Sequence, residues 1–111
     1  MELKVLKGVV ANPGKYVGKI KLVNSVDKVI KVEEKDIVVT TDNSPLFSLA
    51  FMKASAIISE KGGLLCHLAI VSREMNKPCI LSVEDASEIL KEGMLVEIDA
   101  TNNKITILKN E

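Results

Sequence analysis

The chain has no tryptophan, one tyrosine and two phenylalanines, and a single histidine and a single arginine among 111 residues. Nucleic-acid modules combine a basic stripe with interleaved aromatic platforms. With 15 basic against 15 acidic residues and no block of one sign, this chain has neither. Cysteine is equally scarce. Cys66 and Cys79 lack CxxC spacing and, with the lone imidazole of His67, form too thin a ligand set for a zinc site. They are expected to remain reduced thiols in a cytoplasmic protein. The longest apolar run, 64–71, is interrupted by His67 and is far short of the ~20 residues that cross a bilayer. Residues 1–14 hold no basic segment leading into an apolar one, so neither a signal peptide nor a membrane partner is expected.

What is present is a folding pattern. Residues are 47% hydrophobic and 27% charged, as in a globular chain able to bury one core over its single-domain length of 1–111. Residues 3–11 read as a strand closed by the turn signal Asn12-Pro13-Gly14. Residues 15–23 alternate as a second strand, with Val17, Ile20 and Leu22 turned to the core. Residues 28–34 read as a short extended or turning stretch, and 36–40 as a strand buried on both faces. Ser44 before Pro45 reads as an N-cap and first-turn pair opening a short amphipathic helix. A buried strand at 55–59 follows.

Helical spacing resumes over 67–75, with Leu68, Val71 and Met75 on one stripe, and Asn76-Lys77-Pro78 stops it. The reading continues with a strand at 79–81 and a helix at 83–91 ended by Gly93 in the left-handed conformation. A hairpin of 94–100 and 104–108 closes around Thr101-Asn102-Asn103. Strands flank a middle that alternates strand and helix. The expected fold is therefore α/β, a layered β/β/α arrangement with parallel crossovers in the middle and antiparallel strands around them.

The chemistry is concentrated in EKGGLLCHLAIVSRE, residues 60–74. Gly62 and Gly63 permit positive φ and close approach of backbone amides to a ligand. They lead into a helix start, whose unpaired N–H groups and positive dipole end favour an anion. His67 sits there as a candidate base, metal ligand or nucleophile. A Cys66–His67 catalytic pair is disfavoured, because neighbours on a helix point about 100° apart. A phosphorylated histidine fits better: one neutral ring nitrogen is already a nucleophile near neutral pH, and the product anion would meet the helix start. A purely structural histidine bridging loop and core stays open on these residues alone. Lys61 could offset phosphate charge or simply be solvated. Arg73, about 240° around the helix from His67, reads as an ion-pair or capping residue.

The segment resembles the phosphohistidine stretch of the PEP-utilising enzymes: phosphoenolpyruvate synthase, pyruvate phosphate dikinase and the phosphotransferase-system enzyme I. Their pattern runs Gly-Gly-x-Thr-(Ser/Cys)-His-Ala-Ala-Ile-(Val/Ile)-Ala-Arg-Glu, followed by a turn and Pro-Ala-Val. Gly62, Gly63, Cys66, His67, Ala69, Ile70, Val71, Arg73, Glu74 and Pro78 fall on matching positions. Gly8, Asn12-Pro13-Gly14 and Gly18 resemble that family's opening G-x-x-x-S-P-G-x-x-x-G. Asn43-Ser44-Pro45 stands where it has Thr-x-Pro, and 93–99 resembles its closing block. Leu65 replaces a threonine, Leu64 an arginine or methionine, and Leu68 an alanine, which gives the site an apolar mouth.

The resemblance implies a swivelling phosphohistidine domain of β/β/α fold. It implies His67 as the phosphoacceptor and Gly62, Gly63 and Cys66 as the residues shaping the phosphate loop. Asn43 and Ser44 would also shape the site, Asn43 replacing a threonine that in the family lies close to the imidazole, where its amide could orient the ring. No cofactor is expected on this chain; Mg²⁺ and PEP or ATP would be held by a PEP-binding or ATP-grasp partner subunit. Two functions follow: a stand-alone carrier passing phosphate through His67, or a non-catalytic vestigial or regulatory module keeping the fold for protein–protein contact.

Overall fold

A computed structural model describes residues 5–109. Eight strands occur in chain order: β1 (Val5–Leu6), β2 (Val9–Asn12), β3 (Lys15–Val23), β4 (Ile37–Thr40), β5 (Ala56–Ser59), β6 (Cys79–Leu81), β7 (Leu95–Asp99) and β8 (Lys104–Lys109). Four helices accompany them: α1 (Val26–Val29), α2 (Ser48–Lys53), α3 (His67–Glu74) and α4 (Ala86–Ile89), with a 3₁₀ turn at Pro45–Phe47 leading into α2. The strand order is β1-β8-β7-β3-β4-β5-β6-β2.

The nine-residue β3 belongs to two sheets. Its first half pairs antiparallel with β7, Lys15 opposite Asp99 through Lys19 opposite Leu95. From Ile20 to Val23 it pairs in parallel with β4. One sheet, β1-β8-β7-β3, is therefore antiparallel. The other runs parallel through β3, β4, β5 and β6 and ends in an antiparallel β2.

Two apolar clusters define the layers. Val38, Ile57, Cys79 and Leu81 on one face of the parallel sheet pack with Val29, Phe47, Ala50, Phe51, Leu68 and Ala69 from the helical side. Ile37, Val39, Ile58 and Ile80 on its other face pack with Val96, Ile98 and Ile105 of the antiparallel sheet. This is the β/β/α sandwich expected. The parallel sheet lies in the middle, so all four residues of β4 and of β5 are buried, and both strands read as continuous apolar runs.

The structure corrects several boundaries. Residues 3 and 4 of the expected first strand lie outside the described residues, and its remainder is two strands in different sheets. The break is at Gly8. A Cβ there would lie 2.2 Å from the Leu81 carbonyl oxygen, and the Asn103 side chain accepts from the Gly8 N–H and donates to its carbonyl. Val17 is 46% exposed and not core, because Tyr16 and Ile20 take the inner face of β3.

Residues 28 and 29 of the expected extended or turning stretch belong to a helical turn, α1, that strand-like valines concealed, and 30–34 turn away from it. The helix expected over 83–91 is only Ala86–Ile89. Gly93 does have φ +87, but in the turn before β7, where its N–H donates to Ile20. On α3 the buried side chains are Leu68, Ala69 and Ser72; Met75, just beyond the last helical residue, is exposed.

Candidate functional site

β4 and β5 are neighbours in register, Thr40 beside Ser59, and each runs at its carboxyl end into a loop and then a helix. Ligand sites of parallel sheets form at such carboxyl ends. The loop after β4 carries Asp42, Asn43 and Ser44 into the 3₁₀ turn and α2; the loop after β5 carries residues 60–66 into α3.

His67 is the first residue of α3 and is exposed. Its Nε2 lies 2.9 Å from the Ser48 Oγ, a hydroxyl on the first turn of α2. Cys66 is the N-cap by backbone conformation (φ −74, ψ 164); its thiol makes no capping bond, while its carbonyl accepts from the Ile70 N–H. The helix start thus rests on backbone geometry and holds the imidazole at the mouth.

The loop before α3 is tied down by its carbonyl oxygens. Lys61 O accepts from the Asn43 amide at 2.9 Å, Gly62 O from the Ser82 hydroxyl at 2.7 Å, and Gly63 O from the Cys66 N–H at 3.1 Å. Leu64 O accepts from the Arg73 guanidinium, whose Nε also donates to Ala11 O on β2. Every carbonyl from residue 61 to 64 is engaged, Lys61 N–H donates to Ser59 Oγ and Cys66 N–H to Gly63 O, so the N–H groups of residues 62 to 65 are what this loop can offer a ligand. Arg73 is accordingly a backbone clamp between loop and sheet. It was expected to form an ion pair or cap; the missed signal was the run of polar carbonyls that a Gly-Gly loop leaves to be satisfied.

The two glycines differ. Gly62 has φ +109, and a Cβ on it would lie 2.3 Å from Asn43 Nδ2. Gly63 has open space around its Cβ position, so no contact within the fold demands glycine there. Asn43 also differs from expectation. Its Oδ1 accepts from Ser59 Oγ and its Nδ2 donates to Lys61 O, with Cys66 Sγ 3.8 Å away, so both amide functions serve the loop and neither reaches the ring. Ser44 accepts from the Leu46 N–H and caps the 3₁₀ turn. Lys61 is exposed and contributes its carbonyl. Ser48, which actually meets the imidazole, was not singled out, because a serine on an amphipathic helix carries no distinguishing local pattern.

Around the Ser48–His67 pair the surface is apolar. Leu46 and Leu49 flank Ser48, Ile70 follows His67 by three residues on the same helix face, and Leu64 and Leu65 precede it. All five are exposed, Leu65 by 89%.

The cysteines separate chemically. Burial pushes the Cys79 thiol up to about 12, whereas Cys66 is only half-buried. Since the thiolate is the reactive form, one thiol should react with an aromatic disulfide reagent in native protein at pH 8, and both after unfolding. Two equivalents released by native protein would contradict this burial. Among the described residues no group of three or more His, Cys, Asp or Glu side chains is placed to hold a metal ion, and no helix is long and apolar enough to cross a membrane.

Comparison with known proteins agrees with this fold. Residues 32–103 match the family model for the PEP-utilising enzyme, mobile domain. A probable phosphoenolpyruvate synthase of Archaeoglobus fulgidus is 44% identical over 95 residues, covering 86% of this chain and 13% of the relative. The chain spans 12% to 15% of the length of such curated relatives. Among solved structures, an enzyme I solution structure is similar with a TM-score of 0.62 and 21% identity, covering 75% of this chain and 34% of the other. A chain of Thermococcus kodakaraensis aconitase X is similar with a TM-score of 0.72 and 18% identity, covering 96% and 99%. At those identities the two structures speak for the fold alone.

Proposed function

The chain belongs to the PEP-utilising enzyme mobile-domain family, the mobile domain of phosphoenolpyruvate-synthase-like proteins, and on that premise we propose that His67 is its phosphoryl carrier. The observation that carries this reading is the exposed imidazole on the first residue of α3, directly after a loop whose carbonyls 61 to 64 are all engaged. A ring nitrogen attacks the donor phosphorus with its lone pair. A P–N bond forms as the P–O bond to the donor breaks, and the leaving pair departs on the donor oxygen. The other ring nitrogen keeps its proton. The group so bound brings roughly −1.5 to −2 charges to a helix start and a loop whose amides can receive it.

The donor side belongs elsewhere. Phosphoryl transfer needs cations that hold and neutralise the donor phosphates, and the described residues gather no carboxylate cluster for a metal. We propose that Mg²⁺, together with PEP or ATP, is held by a partner domain or subunit, either PEP-binding or ATP-grasp, in keeping with the 12% to 15% of its relatives' length that this chain spans.

A second reading, a docking module without phosphotransfer, draws on the exposed Leu64 and Leu65 beside the histidine and on the same fold in an aconitase X chain, since fold alone does not dictate function. The deciding experiment incubates the protein with Mg²⁺, PEP or ATP and the remainder of a phosphoenolpyruvate-synthase-like enzyme, then measures intact mass. The carrier reading expects one added phosphoryl group, lost in acid and mapping to His67. Absence of the adduct with either donor leaves the docking module.

A further inference from the structure

We infer that Ser48 is the positioning residue for the His67 imidazole, a role that the family resemblance assigns to position 43. The proposal rests on the carrier reading for its kinetic consequence, while the ring geometry stands independently of it.

The hydrogen bonds of Asn43 go to the loops and not to the ring. Its carbonyl oxygen accepts from Ser59 and its amide nitrogen donates to Lys61 O. Both serve to hold the loop after β5 against the loop after β4. Ser48 Oγ, by contrast, meets Nε2 at 2.9 Å, within the ordinary range for a hydroxyl and a ring nitrogen.

The backbone makes this hydroxyl a fixed point. Pro45 begins the 3₁₀ turn, Ser44 caps it through the Leu46 N–H, and the Ser48 N–H donates to Pro45 O. Phe47 just before it and Ala50 and Phe51 just after it are buried in the helix-side core. Ser48 is thus mounted on a turn anchored on both sides. His67 is mounted on α3, which is anchored by Leu68 and Ala69 in the same cluster. A hydrogen bond between two such anchored groups selects one ring rotamer whichever way its proton lies, because the hydroxyl can donate to Nε2 or accept from it. Holding one rotamer keeps the nucleophilic nitrogen at a constant place, where a displacement of about 1 Å can cost of order 100-fold in rate.

The test uses Ser48→Ala, Ser48→Thr and Asn43→Ala in the full chain. The His67 ring nitrogens are followed by ¹⁵N-detected NMR in unphosphorylated protein, and the rate of phosphoryl acceptance is measured with PEP or ATP and the complementary enzyme. Wild-type protein should show ring shifts displaced from those of a free histidine side chain by the bond to Ser48. Ser48→Ala should show averaged ring shifts and acceptance slowed roughly 10- to 100-fold in kcat, with KM for the chain unchanged. Ser48→Thr should restore both. Asn43→Ala should lower the melting temperature while the ring shifts stay in place.

Unchanged ring shifts in Ser48→Ala overturn the proposal whether or not the rate falls. So does a ring disturbed by Asn43→Ala and not by Ser48→Ala. If the ring responds to Ser48 as expected but wild-type protein accepts no phosphate from either donor, positioning by Ser48 is upheld and the carrier reading is the one that falls.

Discussion

His67→Ala is expected to remove phosphoryl acceptance completely while leaving the melting temperature near that of the wild type. The chain has no second histidine, and the buried Cys79 thiol is held protonated at neutral pH, so neither group supplies a substitute nucleophile. Stability should barely move. His67 is exposed and its side chain makes one hydrogen bond, at the surface, to Ser48. Exposed substitutions of this kind usually lie within about 0.5 kcal/mol, and alanine is the better helix former. Intact mass after incubation with donor and partner enzyme, paired with thermal unfolding, reads both halves. A phosphoryl adduct surviving in this variant would place the acceptor elsewhere.

Gly62→Ala is expected to have the largest effect on stability of any change at the site, about 2–4 kcal/mol. Two separate costs combine. The backbone at φ +109 is one that side chains rarely adopt, and the new methyl would arrive 2.3 Å from Asn43 Nδ2. Asn43 cannot step aside freely, since the same amide holds Lys61 O and Ser59 Oγ. The loop would have to release its pin or the residue its conformation. A fall in melting temperature of roughly 10–20 °C is the scale to look for. Gly63→Ala is the control, because nothing lies within 4 Å of a Cβ there. Equal melting of the two variants would refute the argument.

The three-layer order was legible because β4 and β5 are short runs of buried β-branched and small residues, a pattern that needs cover on both faces. The place of His67 at a helix start was legible because a Gly-Gly loop opening a helix is a local signal. Ser48 and the engaged carbonyls were not. Apart from the local bond at Gly63 O, each depends on two segments 9 to 20 residues apart in sequence coming together, a tertiary fact with no local periodicity. The bonds by which Asn43 shapes the loop, from Ser59 and to Lys61 O, were hidden for the same reason. The splitting of the first strand at Gly8 was hidden by β-favourable residues on either side, although the glycine itself marked the crossing.

The pairing of β1 with β8 has a mechanical consequence. Val5 lies opposite Thr106 and the strands are antiparallel, so residue 5 and residue 109 point out of the same end of one sheet edge, on strands about 5 Å apart. Polypeptide continuing from both would leave as two parallel tethers, equivalent to one pivot rather than two separated anchors. That pivot lies in the antiparallel layer, and His67 lies across the parallel sheet in the helical one. A body held so could be grafted into a loop of a larger chain, or circularly permuted by a short bridge between these strands, with every ladder intact and the histidine face turned outward.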